Sequence, residues 1–241
     1  MKEKQPLFSI VVPAYNEEKF IVPCVESLKN LRSNFDIEII VADNNSTDNT
    51  VNIVRELGVV LVQEKRQGVG AARRAGTSIA KGEFIVHVDA DTRLPEGYLE
   101  KVYNRFQSNK KLVCIGGQFI FYDAPVWKRV LRFFNHWSLW LFAVSVSFGK
   151  VGPMGNNMTF KKDLYDQTDG FDKRLRYGED MDLCRKLSVF GKIRLDMSLK
   201  CQVSVRRFVL DKRLWDYFLN FIKMSMVGKP RKNVLPHSED I

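Results

Sequence analysis

The amino-acid sequence predicts an α/β fold: a single Rossmann-like domain with a mostly parallel central sheet flanked by helices. Three observations lead there. Short, almost continuously apolar runs recur near residues 8–13, 37–43, 59–62 and 84–89, as in strands buried on both faces of a parallel sheet. Segments with apolar residues at helical spacing separate them, the alternation that builds crossover connections. The 241-residue chain is 45% hydrophobic and 27% charged, which allows a sizeable core and excludes wholesale disorder.

The elements follow in order. Phe8-Ser-Ile-Val-Val-Pro13 is the first strand, closed by proline. A helix is expected from about Glu17 to Leu31, with Val25, Leu28 and Leu31 on one face. Ile37–Asp43 is the second strand, and Ser46-Thr-Asp48 should cap a helix that runs to Leu57 and stops at Gly58. Val59–Val62 forms a short third strand, Gly70–Ala80 an Ala-rich helix ended by Gly82, and Phe84–Asp89 the fourth strand. Leu112–Tyr122 reads as a long strand whose Gly116-Gly117 pair suggests a bulge. Asn157–Phe160 and Leu199–Val205 are further short strands, and a helix follows Gly178 with Met181, Cys184 and Leu187 as its apolar stripe. There is no internal repeat. The expected organisation is one domain over 1–228 and a mobile tail over 229–241, which has two prolines and no periodicity.

Composition narrows the setting. Cys24, Cys114, Cys184 and Cys201 are widely spaced without a CxxC pair, the pattern of buried thiols in a reducing compartment. No stretch has the roughly 18–20 apolar residues of a spanning helix, and the opening residues lead straight into a strand, unlike a signal peptide. The net charge is +10, unevenly placed: residues 1–100 hold 12 Lys and Arg against 15 Asp and Glu, the remainder 26 against 13. Nucleic acid, an anionic membrane and a phosphorylated substrate are the partners such a basic half would suit.

Ligands of open α/β sheets sit at the carboxyl ends of the strands, so the residues there come first. Asp89-Ala-Asp91 places two carboxylates where both can face one cavity, a donor set suited to Mg²⁺ or Mn²⁺ shared with substrate phosphates; two solvated turn acids would look the same. Glu179 and Asp180 begin a helix, where the dipole favours carboxylates, either as capping acids or as chemistry. Gln67-Gly-Val-Gly-Ala-Ala-Arg-Arg has Arg73 at the third glycine position of a dinucleotide turn, which disfavours a dehydrogenase. Arg73 and Arg74 could instead meet a diphosphate or face solvent. Asp43 could accept hydrogen bonds from a base or ribose, or close an Asx turn. His87, inside an apolar strand, reads as a packed core histidine.

Seven motifs in fixed order over Phe8 to Leu195 join these segments: Val11-Val-Pro-Ala-Tyr-Asn-Glu17, Val41-Ala-Asp-Asn-Asn-Ser-Thr-Asp48, Gly68–Gly76, Val88-Asp-Ala-Asp91, Gly155-Asn-Asn-Met158, Asp169-Gly-Phe-Asp172 and Gly178-Glu-Asp180. Through them the chain resembles an inverting family 2 glycosyltransferase of the GT-A fold. The resemblance implies a nucleotide-binding half over about 1–100 and an acceptor-binding half over about 101–228. It implies a donor pocket lined by Ala14, Tyr15 and Glu17, with Asp43 on the base and Arg73 near the phosphates. Asp91 would ligate the metal, Asp89 would hold the ribose or a metal-bound water, and Asp180 would be the catalytic base, with Glu179 beside it shaping the acceptor site. The donor would be a nucleotide-diphosphate sugar, the cofactor Mg²⁺ or Mn²⁺. Two departures stand out: Asn44 replaces a second acid after Asp43, and the late metal-shell histidine is missing, with Arg206-Arg207 in that stretch as a phosphate contact or as surface charge.

Residues 126–142 carry three tryptophans interleaved with Lys128, Arg129 and Arg132. Trp127, Val130, Leu131, Phe134 and Trp137 follow helical spacing, which fits a helix in a membrane interface or a core helix equally. Leu214–Met224 is a second amphipathic candidate. An interfacial helix would suit an acceptor glycan or polyprenyl-linked lipid, a cytoplasmic enzyme peripheral to the membrane, and no nucleic-acid partner. Two other classes compete. A sugar nucleotidyltransferase would want a glycine-rich basic loop after the first strand, where Pro13-Ala-Tyr-Asn-Glu17 is acidic and glycine-free. A membrane-associated binding module without turnover would have no need of Asp91 and Asp180.

Overall fold

The computed structural model describes residues 5–128, 138, 141–207 and 212–230. Its centre is one eight-stranded sheet in the order β3-β2-β1-β4-β7-β6-β8-β5. The strands are β1 (Phe8–Ala14), β2 (Ile37–Asp43), β3 (Val60–Gln63), β4 (Phe84–His87), β5 (Thr92–Arg93), β6 (Leu112–Phe121), β7 (Met158–Lys161) and β8 (Lys192–Val203). The first four run parallel, β7 is antiparallel to β4 and β6, and β8 runs parallel to β6. The helices are α1 (Ile21–Lys29), α2 (Thr50–Glu56), α3 (Val69–Ile79), α4 (Tyr98–Ser108), α5 (Lys162–Tyr165), α6 (Glu179–Leu187) and α7 (Lys212–Val227). Residues 126–128 and 141–146 are helical as well.

The strand alternation distributes the core to both faces of the sheet. Phe8, Ile10 and Val12 pack with Cys24, Val25 and Leu28 of α1 and with Leu99, Val102 and Phe106 of α4. Val11, Ile40 and Ile85 point the other way, toward Phe171 and toward Leu183, Cys184 and Leu187 of α6. Each fully buried side chain of this size contributes about 1.5–3 kcal/mol, so the two layers are what hold the sheet between its helices. All four cysteines are buried free thiols.

The structure departs from the sequence expectation at several elements. α1 begins at Ile21 rather than Glu17. Asn16 has φ of +53° and the Glu17 N–H donates to Thr50 Oγ1 at 2.8 Å, which ties residues 16–20 to the loop after β2. Asn49 takes the N-cap position of α2, and Asp48, one residue before it, accepts from the N–H of Thr50, the helix's first residue, at 3.0 Å and from Glu18 N–H at 3.1 Å, joining two loops. β8 starts at Lys192, seven residues before the anticipated strand, and α4 is an element the periodicity reading did not include. The expected tail falls largely on 231–241, outside the described residues.

The bulge expected at Gly116-Gly117 is present as a register shift between β6 and β8 at Gly116 and Gln118. The strands approach so closely there that a Cβ on Gly117 would lie 1.6 Å from the Leu199 carbonyl oxygen. Gly117→Ala is therefore expected to part the β6–β8 pair and lower stability by about 1–3 kcal/mol, read as a fall in the urea midpoint; an unchanged midpoint would contradict the packing.

Candidate active site

The carboxyl ends of β1, β2 and β4 lie side by side, with Ala14 opposite Asp43 and Val11 opposite His87. The loops leaving these ends are locked to one another. Asn16 Oδ1 accepts from Thr47 N–H at 2.8 Å, and the Asn16 N–H donates to Ser46 Oγ at 3.0 Å. Ala14 and Asp43 are buried and Tyr15 is half-buried. The Asp43 carboxylate faces Ser46 N–H at 3.4 Å through both oxygens, the Asx geometry weighed from the sequence. Asn44 braces the next loop: its Nδ2 donates to the Glu64 and Arg66 carbonyls at 3.0 and 2.8 Å, and its Oδ1 accepts from Gly68 N–H at 2.7 Å. The amide that departs from the family's acid thus shapes the turn into α3.

Arg73, on α3, is the centre of the site. Only 3% of its side chain is exposed. Nη2 donates to Asp89 Oδ1 at 2.8 Å, Nη1 to the Gly155 carbonyl at 2.6 Å, and Nε lies 3.3 Å from Glu179 Oε1. A buried guanidinium is tolerated only when paired in this way. The fit needs a residue without a side chain, since a Cβ on Gly155 would sit 2.4 Å from Arg73 Nη2.

Glu179 and Asp180 open α6 after Gly178, whose φ of +74° sets the chain into the helix. Asp180 Oδ2 accepts from Gly155 N–H at 2.9 Å and Oδ1 from Met181 N–H at 2.7 Å. Burial, then the adjacent Asp180 charge, pushes the Glu179 carboxyl up to about 7 against the pull of Arg73. Burial raises Asp180 too, opposed by Arg73 and the Gly155 N–H. The two acids titrate as a pair.

A second arginine closes the site. Arg206, in a 3₁₀ turn at Val205–Arg207, donates through Nη2 to both Glu17 oxygens at 2.6 and 2.5 Å and through Nε to Asp91 Oδ2 at 2.9 Å. Its guanidinium lies 3.9 Å over the Phe20 ring. The stretch read from sequence as a phosphate contact or surface charge thus holds the two buried acids. Asp89 and Asp91 therefore face different partners, and among the described residues no three acids, histidines or cysteines gather around one point.

Other candidates lie apart. Arg74 donates to the Asp169 and Phe171 carbonyls at 2.7 and 3.1 Å. His87 is fully buried against Phe160, with Thr77 Oγ1 3.0 Å from its Nε2, and burial lowers its pKa well below the ordinary value, as a neutral core histidine requires. His136 and most of the aromatic segment fall outside the described residues.

A mostly parallel sheet with acids at its strand ends and a second acid pair at the start of a helix has the architecture of GT-A glycosyltransferases. The family model "Glycosyl transferase family 2" matches residues 9–169, more than half of the chain, and the chain belongs to that family. Glycosyltransferase GlyG of Streptococcus pneumoniae is 40% identical over 120 residues, covering 47% of this chain and 39% of that protein; the match spans less than two thirds of the relative's length. The fold is shared with a mannosyltransferase from Pyrobaculum calidifontis solved with GDP-Man and Mn²⁺, at TM-score 0.69 and 20% identity over 92% of this chain and 64% of that one. It is shared also with glucosyl-3-phosphoglycerate synthase from Mycobacterium tuberculosis, solved with Mn²⁺, UDP and product, at TM-score 0.67 and 19% identity over 94% and 82%.

The raised Glu179 carboxyl carries a stability consequence of known sign. A folded-state pKa above the unfolded value contributes stability below the ordinary carboxylate range, and this is lost as pH rises through about 7. Wild type should lose more stability than Glu179→Gln between about pH 5 and about pH 8, measured by urea midpoints at both; equal losses would show that Glu179 does not hold its proton.

Proposed function

We propose that the protein transfers a sugar from a nucleotide-diphosphate sugar to an acceptor hydroxyl, with inversion at the anomeric carbon. The observation that carries this reading is the Arg73 network, which joins Asp89 of the acidic loop to Glu179, beside Asp180, in one cluster. Residues 1–100 form the nucleotide-binding half of a domain over 1–228, with Ala14, Tyr15 and Glu17 lining the donor pocket and Asp43 on the base. Arg73 acts near the donor phosphates by holding Asp89. Residues 101–228 receive the acceptor.

Asp180 removes the acceptor proton as the hydroxyl attacks C1, and Glu179 beside it shapes the acceptor site. Attack from the face opposite the leaving diphosphate, without a covalent sugar–enzyme intermediate, inverts the centre. The residues suit a divalent cation, because Glu17 and Asp91 already turn three oxygens onto one positive group, Arg206. Asp91 would hold Mg²⁺ or Mn²⁺, with Asp89 toward the ribose or a metal-bound water. Bound there, the ion would act as a Lewis acid on the diphosphate oxygens. The two Mn²⁺-bound fold relatives, one with a guanosine and one with a uridine nucleotide, support a nucleotide donor and leave both bases to be tried.

The acceptor is a glycan or a polyprenyl-linked lipid, met by the protein as a cytoplasmic enzyme peripheral to an anionic membrane. Residues 101–150 hold eight Lys and Arg against one Asp, and Val126, Trp127, Leu141 and Phe148 are exposed, Phe148 at 90%. Exposed aromatics beside basic residues support interfacial contact. No described helix is long and apolar enough to cross a membrane.

Two measurements test this. Asp180→Asn should bind nucleoside diphosphate with Mn²⁺ as wild type does in a thermal-shift assay, yet lose about 10²–10⁴-fold in transfer rate; full transfer by that variant removes Asp180 as the base. In flotation with vesicles containing anionic lipid, wild type should rise with the vesicles, and the binding should weaken with salt and in Trp127→Ala. Absence of flotation refutes the membrane contact.

A further inference from the structure

We propose that Arg206 competes with the divalent cation for Glu17 and Asp91, so that the nucleotide-free protein resists metal and takes it up together with the donor diphosphate. The inference rests on the reading that the cation sits at Asp91, and it assigns Arg206 the order in which metal and donor bind.

The geometry is that of an occupied cation site. The Glu17 and Asp91 side chains are each 2% exposed, whereas Arg206 is 27% exposed. Arg206 thus covers the two carboxylates from the solvent side, with Nη2 on both Glu17 oxygens and Nε on Asp91. Charge-assisted hydrogen bonds of this kind are roughly twice as strong as neutral ones, and they occupy the same carboxylate oxygens that a cation would use. An ion on Asp91 with the guanidinium still in place would set like charges side by side in a water-poor site, where repulsion is strong. One of the two must leave.

Arg206 can move alone. Its turn is pinned by Asp123, which accepts from Ser204 Oγ at 2.6 Å and from Val205 N–H at 2.7 Å. The backbone therefore stays while the side chain swings. Among the described residues, the guanidinium is held by Glu17, Asp91 and the Phe20 face. Once displaced it needs a new anion, and a diphosphate arriving with the metal supplies one. Metal and nucleotide then both favour the displaced state, and two ligands that favour one state bind cooperatively and reciprocally. Arg73 cannot play this part, because it is enclosed by Asp89, Glu179 and Gly155.

The test is Mn²⁺ binding without turnover, by electron paramagnetic resonance of free Mn²⁺, for wild type, Arg206→Ala, Arg206→Gln and Asp91→Asn, each alone and with saturating UDP or GDP. Wild type should bind Mn²⁺ about ten-fold more tightly with the matching nucleotide than without it. Arg206→Ala should bind it about ten-fold more tightly than wild type in the absence of nucleotide, and should gain less from nucleotide. Arg206→Gln, which removes the charge and keeps hydrogen-bonding groups, gives the same reading should the alanine variant fail to fold. Nucleotide-free affinity no higher in the folded variant than in wild type overturns the inference. Asp91→Asn separates the two layers. If it binds Mn²⁺ as wild type does, the metal reading itself falls. If it loses Mn²⁺ while the Arg206 variants bind as wild type does, only the competition falls.

Discussion

One buried charge organises this site. The Arg73 guanidinium is almost wholly withdrawn from water, and an unpaired ion there would cost several kcal/mol, a large share of the about 5–15 kcal/mol that stabilises a domain. The fold meets this by bringing three segments to one side chain. Asp89 comes from the loop after β4, the Gly155 carbonyl from the loop before β7, and Glu179 from the start of α6. Gly155 also donates to Asp180, so the residue that satisfies the arginine orients the neighbouring acid. The loop with the acids and the helix with the acid pair cannot drift apart without exposing a buried charge.

The same bookkeeping explains why the site has two arginines of different character. Among the described residues, Asp89 and Glu179 pair with Arg73, Glu17 and Asp91 pair with Arg206, and Asp180 stands beside Glu179. Carboxylates gathered this closely bind cations or hold protons, and the raised Glu179 and Asp180 carboxyls show the second response. Arg73 is embedded and serves the architecture. Arg206 stands on the solvent side of its acids, on an anchored turn, with its side chain 27% exposed. Permanence and exchangeability are thus assigned by burial, with the same functional group in both places.

The strand ends were legible from sequence because parallel strands buried on both faces read as unbroken apolar runs, and Asp43, Asp89 and Asp91 punctuate those runs. The seven ordered motifs made the family legible as well. β8 was legible only in part: it alternates exposed Lys192, Arg194, Ser198 and Lys200 with buried Leu195, Leu199 and Cys201, and its charged face hides a strand from a reading tuned to apolar runs. α4 had a usable signal in Leu99, Val102 and Phe106. What no local pattern could supply is the partner of each charge. Arg206 meets Glu17 across 189 positions and Asp91 across 115, and Arg73 meets Gly155 across 82. Distance along the chain, rather than weak chemistry, kept the most informative contacts out of the sequence.

The charge asymmetry between the halves has a partly internal explanation. Arg206 and Lys173, from the basic half, neutralise Glu17, Asp91 and Glu64 of the acidic half, while Arg73 returns the exchange by pairing with Glu179. Some of the excess in each half is therefore spent in holding the two together. A strong local excess of basic residues lies between residues 101 and 150, with eight Lys and Arg against one Asp, and there Val126, Trp127, Leu141 and Phe148 stand exposed. A surface that is both basic and apolar pays twice for exposure to water alone, once in hydration of Trp127 and Phe148 and once in mutual repulsion of its charges. An anionic, partly apolar surface relieves both at the same time, whereas a free phosphate relieves only the second.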